Sequence, residues 1–337
     1  MPAAPNAETI LVFAEAVTLA HVARPICFAR RLDRRQYRVV VACADHAAAH
    51  IRAAGLEHAP LRSVEPAAFL AALARGKPLY DATTLERYVR DDLALIERFR
   101  PSLIVGDFRL SLSASARLAR IPYAAIASAY WSPYYEPPSW TIPTLPLTRV
   151  LPICAAQRAF DLARPLAFRL HCQPLNAVRR RFGLAPLKQD LRRIYTDADD
   201  VLYSDLGELF PLRGAPPAHR FLGPVLWEPD VALPEWWGRL PDDKPIVYVT
   251  LGSSGDSSAL AEVVAAMAGL PVTVLAATAG RSSSAGFPAN VFSAPYLPGR
   301  RAALRARLVV SNGGSLTGYQ AIAAGRPVLG IAGNLDQ

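Results

Sequence analysis

The chain has 337 residues, 52% of them hydrophobic and 19% charged, with a mean hydropathy of +0.17, which excludes global disorder and fills two cores at roughly 150 residues per domain. Lys and Arg number 37 against 28 Asp and Glu, a net charge of +9 that favours anionic partners such as nucleotides or acidic headgroups; without a nucleic-acid motif, nucleic acid is not among them. Cys27, Cys43, Cys154 and Cys172 lie far apart with no CxxC, which excludes a zinc site and a disulfide scaffold and points to reduced thiols in a cytoplasm.

At the N-terminus no Lys or Arg precedes Arg24, so the apolar run from Thr9 to Ala20 lacks the basic region of a signal peptide and reads as a buried strand with its loop. Continuous apolar strands are predicted at Ile10–Ala14, Arg38–Ala44, Leu103–Val105 and Tyr123–Ala127, the pattern of a parallel sheet covered on both faces. Leu85, Tyr88, Val89, Leu93, Ile96 and Phe99 recur at helical spacing and predict a helix over Leu85–Phe99. Pro25 suits the first turn of a helix, which places His21 in the preceding turn at the carboxyl edge of the first strand, where open α/β sheets bind ligands.

A long loop follows from Pro133 to Pro152. Its neighbourhood carries Tyr130, Trp131, Tyr134 and Trp140, which either wall an apolar acceptor pocket or simply cover the helices beyond. Leu151–Phe182 reads as helices broken at Pro165 and Pro174, compatible with weak association with a membrane surface, and ends in the basic run Arg179, Arg180 and Arg181, which reads as a solvated helix face. A strand at Val201–Ser204 closes a first domain over residues 1–220, and residues 221–245, rich in Pro and Trp, read as a linker.

Five further strands are predicted in the second domain, residues 246–337: Ile246–Leu251, Val272–Leu275, Asn290–Ser293, Leu308–Ser311 and Pro327–Ile331. Gly269 and Pro271 interrupt the apolar stretch Ala259–Gly280, so it reads as helix then strand and not as a membrane span. The chain stops at Gln337 directly after a strand, and the expectation is of the front part of a longer protein with an incomplete second domain. Two loops at strand ends bear glycine and hydroxyl residues: Leu251 to Ser257, with Gly252 and Ser253, and Ser311 to Thr317, with Asn312, Gly313, Gly314 and Ser315. Each is either a phosphate cradle or a Gly-rich turn before a helix, with Asp256 or Ser257 as a cap in the first.

The segment Ser311 to Gln337, SNGGSLTGYQAIAAGRPVLGIAGNLDQ, resembles the donor-binding signature of the UDP-glycosyltransferase family, roughly HGGxGT followed by ExLxxGxPxxxxPxxxDQ. The resemblance implies an α/β GT-B fold of two facing doubly wound Rossmann-like domains, the first binding the acceptor and the second the nucleotide sugar. It implies that Asp336 and Gln337 hold donor-sugar hydroxyls, that Gly313, Gly314 and Ser315 cradle the diphosphate, and that Tyr296, followed by Leu297, stacks on the base. Gly299 stands where the family usually has Gln, Gln320 where it has an acid on a ribose hydroxyl, and Asn312 where it usually has His on the diphosphate. His21 matches the catalytic base and Asp107 the acid that orients it, although no glycine precedes His21 and Pro25 lies one residue later than in the family pattern.

The expected reaction is therefore inverting transfer from a UDP- or dTDP-sugar to a hydroxyl of a small apolar acceptor, with no metal or cofactor beyond the co-substrate and no protein partner. An imidazole taking the acceptor proton needs a carboxylate to fix its tautomer, which His21 and Asp107 supply from two strand ends. The alternatives are a catalytically silent relative, suggested by Asn312 and the altered His21 context, and a nucleotide-sugar epimerase of the same fold.

Overall fold

A computed structural model describes residues 7–241, 243–255, 257–281 and 286–337. The chain divides into two compact units, one reaching Val225 and one over Leu226–Gln337. In the first, the elements are β1 (Glu8–Ala14), α1 (Ala20–Arg31), β2 (Tyr37–Cys43), α2 (Ala48–Ala53), β3 (Glu57–Pro60), α3 (Pro66–Ala74), α4 (Ala82–Phe99), β4 (Leu103–Asp107), α5 (Leu112–Ala119), β5 (Tyr123–Ala127), α6 (Ile153–Arg181), α7 (Leu191–Tyr195), β6 (Asp200–Tyr203) and β7 (His219–Phe221). The sheet order is β3-β2-β1-β4-β5-β6-β7 with every pairing parallel. The direction of winding reverses between β1 and β4, where Ala14 pairs with Asp107, so both chain ends open into the crevice that such sheets use for ligands.

The strands carry apolar side chains on both faces because both are covered. Leu11 and Phe13 pack with Ile96 of α4 and with Leu112 and Ala116 of α5, while α1 lies on β1, β2 and β4. Helix α4 starts where the Asp81 carboxylate accepts from the Thr84 amide (2.6 Å) and stops at Arg100 in the left-handed conformation.

In the second unit β8 (Ile246–Thr250), α8 (Ser257–Ala266), β9 (Thr273–Ala277), β10 (Val291–Ala294), α9 (Gly299–Arg305), β11 (Leu308–Ser311), α10 (Ser315–Ala323) and β12 (Val328–Gly330) form a parallel sheet of order β10-β9-β8-β11-β12. Alternation along β8 is strict: Val247 and Val249 pack on Leu260 and Val264 of α8, and Tyr248 packs on Ala302 of α9 and Ala321 of α10. Its switch point lies between β8 and β11, with Thr250 opposite Ser311.

The structure differs from the sequence-based expectation at three places. The helix starts at Ala20, not at Pro25, because the Val22 and Ala23 amides both bond to the Leu19 carbonyl; His21 is thus in the first turn of α1 rather than in the loop before it. The two prolines do not break α6, which runs for 29 residues; burial of Cys172, Leu175, Asn176 and Val178 along one side carries the helix past Pro174, and tertiary packing overrides the missing amides. The stretch 221–245 is not a free linker beyond Val225, since Trp227 and Leu240 are buried in the second unit and Glu228 accepts from the Arg300 amide at the start of α9.

Under the first sheet edge lies a buried ion network. Arg109 donates from Nη1 to Glu15 (2.8 Å) and from Nε to Asp92 (3.0 Å) and lies over the Tyr88 ring, all out of contact with water. Burial opposes the Arg109 charge, but Asp92 and Glu15 outweigh it and hold the guanidinium above its ordinary range. Burial likewise lifts the Asp92 carboxyl above the usual carboxylate value, opposed by Arg109, Ser111 and Ser115, which all donate to it. Removing one member strands two charges, so Arg109→Leu lowers stability by about 3–5 kcal/mol. The exposed Arg220–Asp200 pair is worth about 0–1 kcal/mol, and Arg220→Leu is the control in denaturant unfolding.

Candidate functional site

Asp107 ends β4 with its side chain wholly buried. His21 Nδ1 lies 2.7 Å from Asp107 Oδ1. One helical turn along α1, Arg24 grips the same carboxylate, Nε to Oδ2 at 2.7 Å and Nη2 to Oδ1 at 2.6 Å, while its Nη1 donates to Ser128 beyond β5 at 2.9 Å. Burial works against the Arg24 cation, Asp107 outweighs it, and the guanidinium is held above its ordinary range. The Nη2 also lies 2.6 Å from His21 Nδ1.

These distances constrain the imidazole. A carboxylate only accepts and a guanidinium only donates, so Nδ1 either carries the proton toward Asp107, leaving a lone pair on Nε2, or accepts from Arg24 with the proton on Nε2. Only the first tautomer offers a base at Nε2.

Phe108 follows Asp107 at φ +57°, a left-handed conformation rare for a bulky side chain, and this turn stacks its ring on His21 with centroids 4.6 Å apart. A chain of rings leads away from it: Phe108 meets Tyr195 at 5.3 Å, Tyr195 meets Trp131 at 5.0 Å, and Trp131 meets Trp140 at 5.7 Å and Tyr130 at 6.0 Å. Of the four aromatic residues expected from the sequence, Tyr130, Trp131 and Trp140 thus join the His21 side. Tyr134 does not; it packs edge-on against His219 at 4.9 Å, because the Arg213 amide bonds to its carbonyl and ties that part of the loop toward β7.

Arg24, Phe108 and Tyr195 are the members that the sequence reading missed. Arg24 had a visible signal, a cation three residues after His21 and directly before the displaced Pro25.

In the second unit the two glycine-bearing loops leave adjacent strands β8 and β11. Asn312 joins them: its Nδ2 donates to Ser254 Oγ at 3.2 Å, and its Oδ1 accepts from the Gly314 amide at 3.2 Å. Gly252 has φ +62°, and a Cβ there would lie 3.8 Å from the Asn312 amide; Arg281 donates to the Ser253 and Gly255 carbonyls at 2.9 and 2.8 Å. Helix α10 begins at Ser315 after Gly314, with no side-chain cap on its first amides, which gives the loop the polarity of an anion site. Gly313 has φ +80°, and a Cβ there would lie 3.2–3.4 Å from Gln337, so the carboxyl-terminal residues are drawn to this loop. The Gln337 amide oxygen accepts from Gly333 at 2.8 Å, and Asp336 is exposed beside it. Asp256 lies outside the described residues.

Tyr296 is half exposed, its hydroxyl donating to the Ala279 carbonyl at 3.3 Å, while Leu297 is buried in the core. Gln320 is buried and donates to the Trp227 carbonyl at 2.6 Å. A Cβ at position 299 would come within 2.3 Å of Gln320 Oε1, so the two departures from the family pattern are one packing unit: glycine at 299 makes room for the amide at 320. Among the described residues no cluster of three His, Cys, Asp or Glu is placed to hold a metal ion, and no helix is long and apolar enough to cross a membrane.

Two parallel α/β sheets of this kind are the fold of solved GT-B glycosyltransferases. The spinosyn rhamnosyltransferase SpnG aligns with a TM-score of 0.65 over 98% of this chain and 82% of its own, at 19% identity. No family profile matches the chain. At the sequence level it is 49% identical over 328 residues to a PGL/p-HBAD biosynthesis rhamnosyltransferase of Mycobacterium bovis (strain BCG / Pasteur 1173P2), covering 97% of this chain and 73% of that protein. It is 48% identical over 330 residues to a PGL/p-HBAD biosynthesis glycosyltransferase of Mycobacterium tuberculosis (strain ATCC 25177 / H37Ra), covering 98% and 77%. The chain belongs to this family of glycosyltransferases. One further relative of the same Mycobacterium bovis strain, 45% identical over 260 residues and covering 77% and 71%, is described as inactive.

The packing of Gly299 against Gln320 is tested by a double-mutant cycle. Gly299→Ala destabilises the second unit by about 1–3 kcal/mol through overpacking. Gln320→Ala in the same chain recovers at least about half of that loss, read from thermal or denaturant unfolding.

Proposed function

We propose that this chain transfers a sugar from a nucleotide diphosphate to a hydroxyl of a small apolar acceptor, with inversion at the anomeric carbon. The observation that carries the reading is the His21–Asp107 contact of 2.7 Å at the switch point of the first sheet. In the Nδ1–H tautomer, His21 Nε2 takes the proton of the acceptor hydroxyl, and Asp107 stabilises the imidazolium that results. The acceptor oxygen forms a bond to the anomeric carbon on one face. The bond from that carbon to the diphosphate oxygen breaks on the other, its electron pair leaving with the diphosphate.

The charge of the leaving group falls to the amides that open α10, from Ser315 onward, the Gly314 amide being held by Asn312, so the proposed step routes nothing through a metal. Tyr296 offers a half-exposed ring for the base, and Asp336 and Gln337 offer a carboxylate and an amide for sugar hydroxyls. The rings from Phe108 to Trp140 form the apolar side against which the acceptor lies. A rhamnosyl donor is the first to test, since one relative is named a rhamnosyltransferase and SpnG has been solved with thymidine diphosphate. The acceptor class in the relatives' names, PGL/p-HBAD, is the corresponding acceptor to test. With four free cysteines and a nucleotide-sugar donor, the proposed compartment is the cytoplasm.

Replacing His21 by Ala lowers kcat by about 10²–10⁴-fold while dTDP and UDP titrations by calorimetry stay unchanged. Turnover retained in that variant removes His21 as the base. Absence of turnover in the wild type with nucleotide still bound assigns the chain to the silent members of the family. Release of the nucleotide in the absence of acceptor favours epimerase-like chemistry.

We also propose that α6 rests on an anionic membrane surface. Leu162, Leu166 and Leu170 are 85%, 60% and 54% exposed and follow one another at intervals of four, with exposed Ile153 before them. Exposed Arg158 and Arg169 flank this ridge, the combination that holds an interfacial helix on acidic lipid. Vesicles of phosphatidylcholine with phosphatidylglycerol sediment the wild type, phosphatidylcholine alone does so weakly, and Leu162→Gln with Leu166→Gln abolishes it. Equal failure on both vesicles, or self-association without lipid, refutes the membrane assignment.

A further inference from the structure

We propose that Arg24 is a positioning residue that shares the Asp107 carboxylate with His21 and thereby keeps the imidazole neutral, ready to accept a proton. The inference rests on the reading of His21 as the base and goes beyond it: Arg24 stands at the third position after His21, where the family pattern that His21 resembles carries its proline.

A buried carboxylate facing only an imidazole would draw a proton onto that ring and hold it there as an ion pair. A base already protonated cannot take the acceptor proton. Arg24 changes the balance: its Nε and Nη2 reach both oxygens of Asp107, so the carboxylate is already neutralised before His21 contributes anything. The same Nη2 donates to Oδ1 beside the Nδ1 proton and, 2.6 Å from that nitrogen, sets a positive charge against any second positive charge on the ring. The amino-terminal end of α1, where His21 sits, acts in the same direction.

Asp107 faces His21 from β4, Arg24 from its own helix, and the Phe108 ring covers one side. Behind Arg24, the Ser128 hydroxyl accepts from Nη1, and Tyr130 and Asp205 add smaller support for the guanidinium charge. Arg24 is buried, and swinging it away would leave the buried Asp107 with His21 as its one charged partner among the described residues. A geometry this closed fixes the carboxylate plane, and with it the direction from which Nδ1 must approach.

The test measures two things in the full chain: the pH profile of kcat/KM, and the titration of the His21 imidazole by carbon–proton NMR, its signal identified among the six histidines by its loss in His21→Ala. Arg24→Gln keeps donors for Asp107 without the charge, and Arg24→Met fills the space without either; each is an independent route, and whichever folds decides the matter. Removing the charge moves both the His21 midpoint and the acid limb of the profile upward by about one pH unit or more, with activity recovering at alkaline pH. Arg24→Lys, which keeps the charge, leaves both near their wild-type positions. A loss that is even at every pH, with the His21 midpoint unmoved, overturns the proposal and reduces Arg24 to a structural brace. Should His21→Ala retain turnover, the base reading fails by itself, and the NMR midpoint still decides whether Arg24 governs the charge on the ring.

Discussion

A fully buried anion is the constraint around which the first unit is arranged. Asp107 is tolerable only because Arg24, His21 and the sheet edge meet it. Each partner is delivered by a different consequence of the same winding. Strands β1 and β4 are neighbours, which brings the loop after Ala14 beside Asp107; α1 then starts early enough to place His21 in its first turn and Arg24 one turn later. Ser128, immediately after β5, closes the far side. A slip of one residue in β4 would turn Asp107 to the other face of the sheet and dismantle all of these contacts together.

The second buried network is the counterpart of the first. Glu15 follows β1 directly, its amide bonding to the Asp107 carbonyl at 3.2 Å, and its carboxylate is fixed by Arg109, Tyr88 and Ser63. Phe108 is therefore bracketed by two residues, Asp107 and Arg109, whose side chains are both locked by charge. A left-handed bulky residue persists only where its surroundings over-determine it. Here the ion networks on either side supply that determination, and the result is a phenyl ring held flat on the imidazole.

Much of this architecture is legible in sequence because it depends on local apolar runs. Tyr123–Ala127 and Leu308–Ser311 agree with the observed strands to the residue, and α4 exceeds its expected span by three residues at the start, where the Asp81 cap lies outside the apolar pattern. Strands β3 and β7, four and three residues long, gave no comparable run, since Glu57, His58, His219 and Arg220 occupy half or more of each. The same physics explains the uneven reading of the site. His21 and Asp107 stand at element ends, where sequence position predicts spatial position. Arg24 lies inside a helix, and only the three-dimensional crossing of α1 with β4 shows which way it points.

The departures in the second unit acquire meaning from packing rather than from the residues taken singly. Glycine at 299 and glutamine at 320 each remove something from the family pattern, yet the amide of one fills the space left by the other and bonds to the Trp227 carbonyl. Asn312 likewise brings no charge, but its amide bridges Ser254 and Gly314 and holds the two glycine loops together. The two loops are thus held together without a formal charge, so in the proposed reading the attraction for a diphosphate rests on backbone amides and the dipole of α10. Backbone donors are fixed in direction and do not titrate. A site built this way keeps its hold on an anion across the pH range in which an imidazole would lose its charge, which leaves His21 as the group in the proposed mechanism whose protonation governs the chemistry.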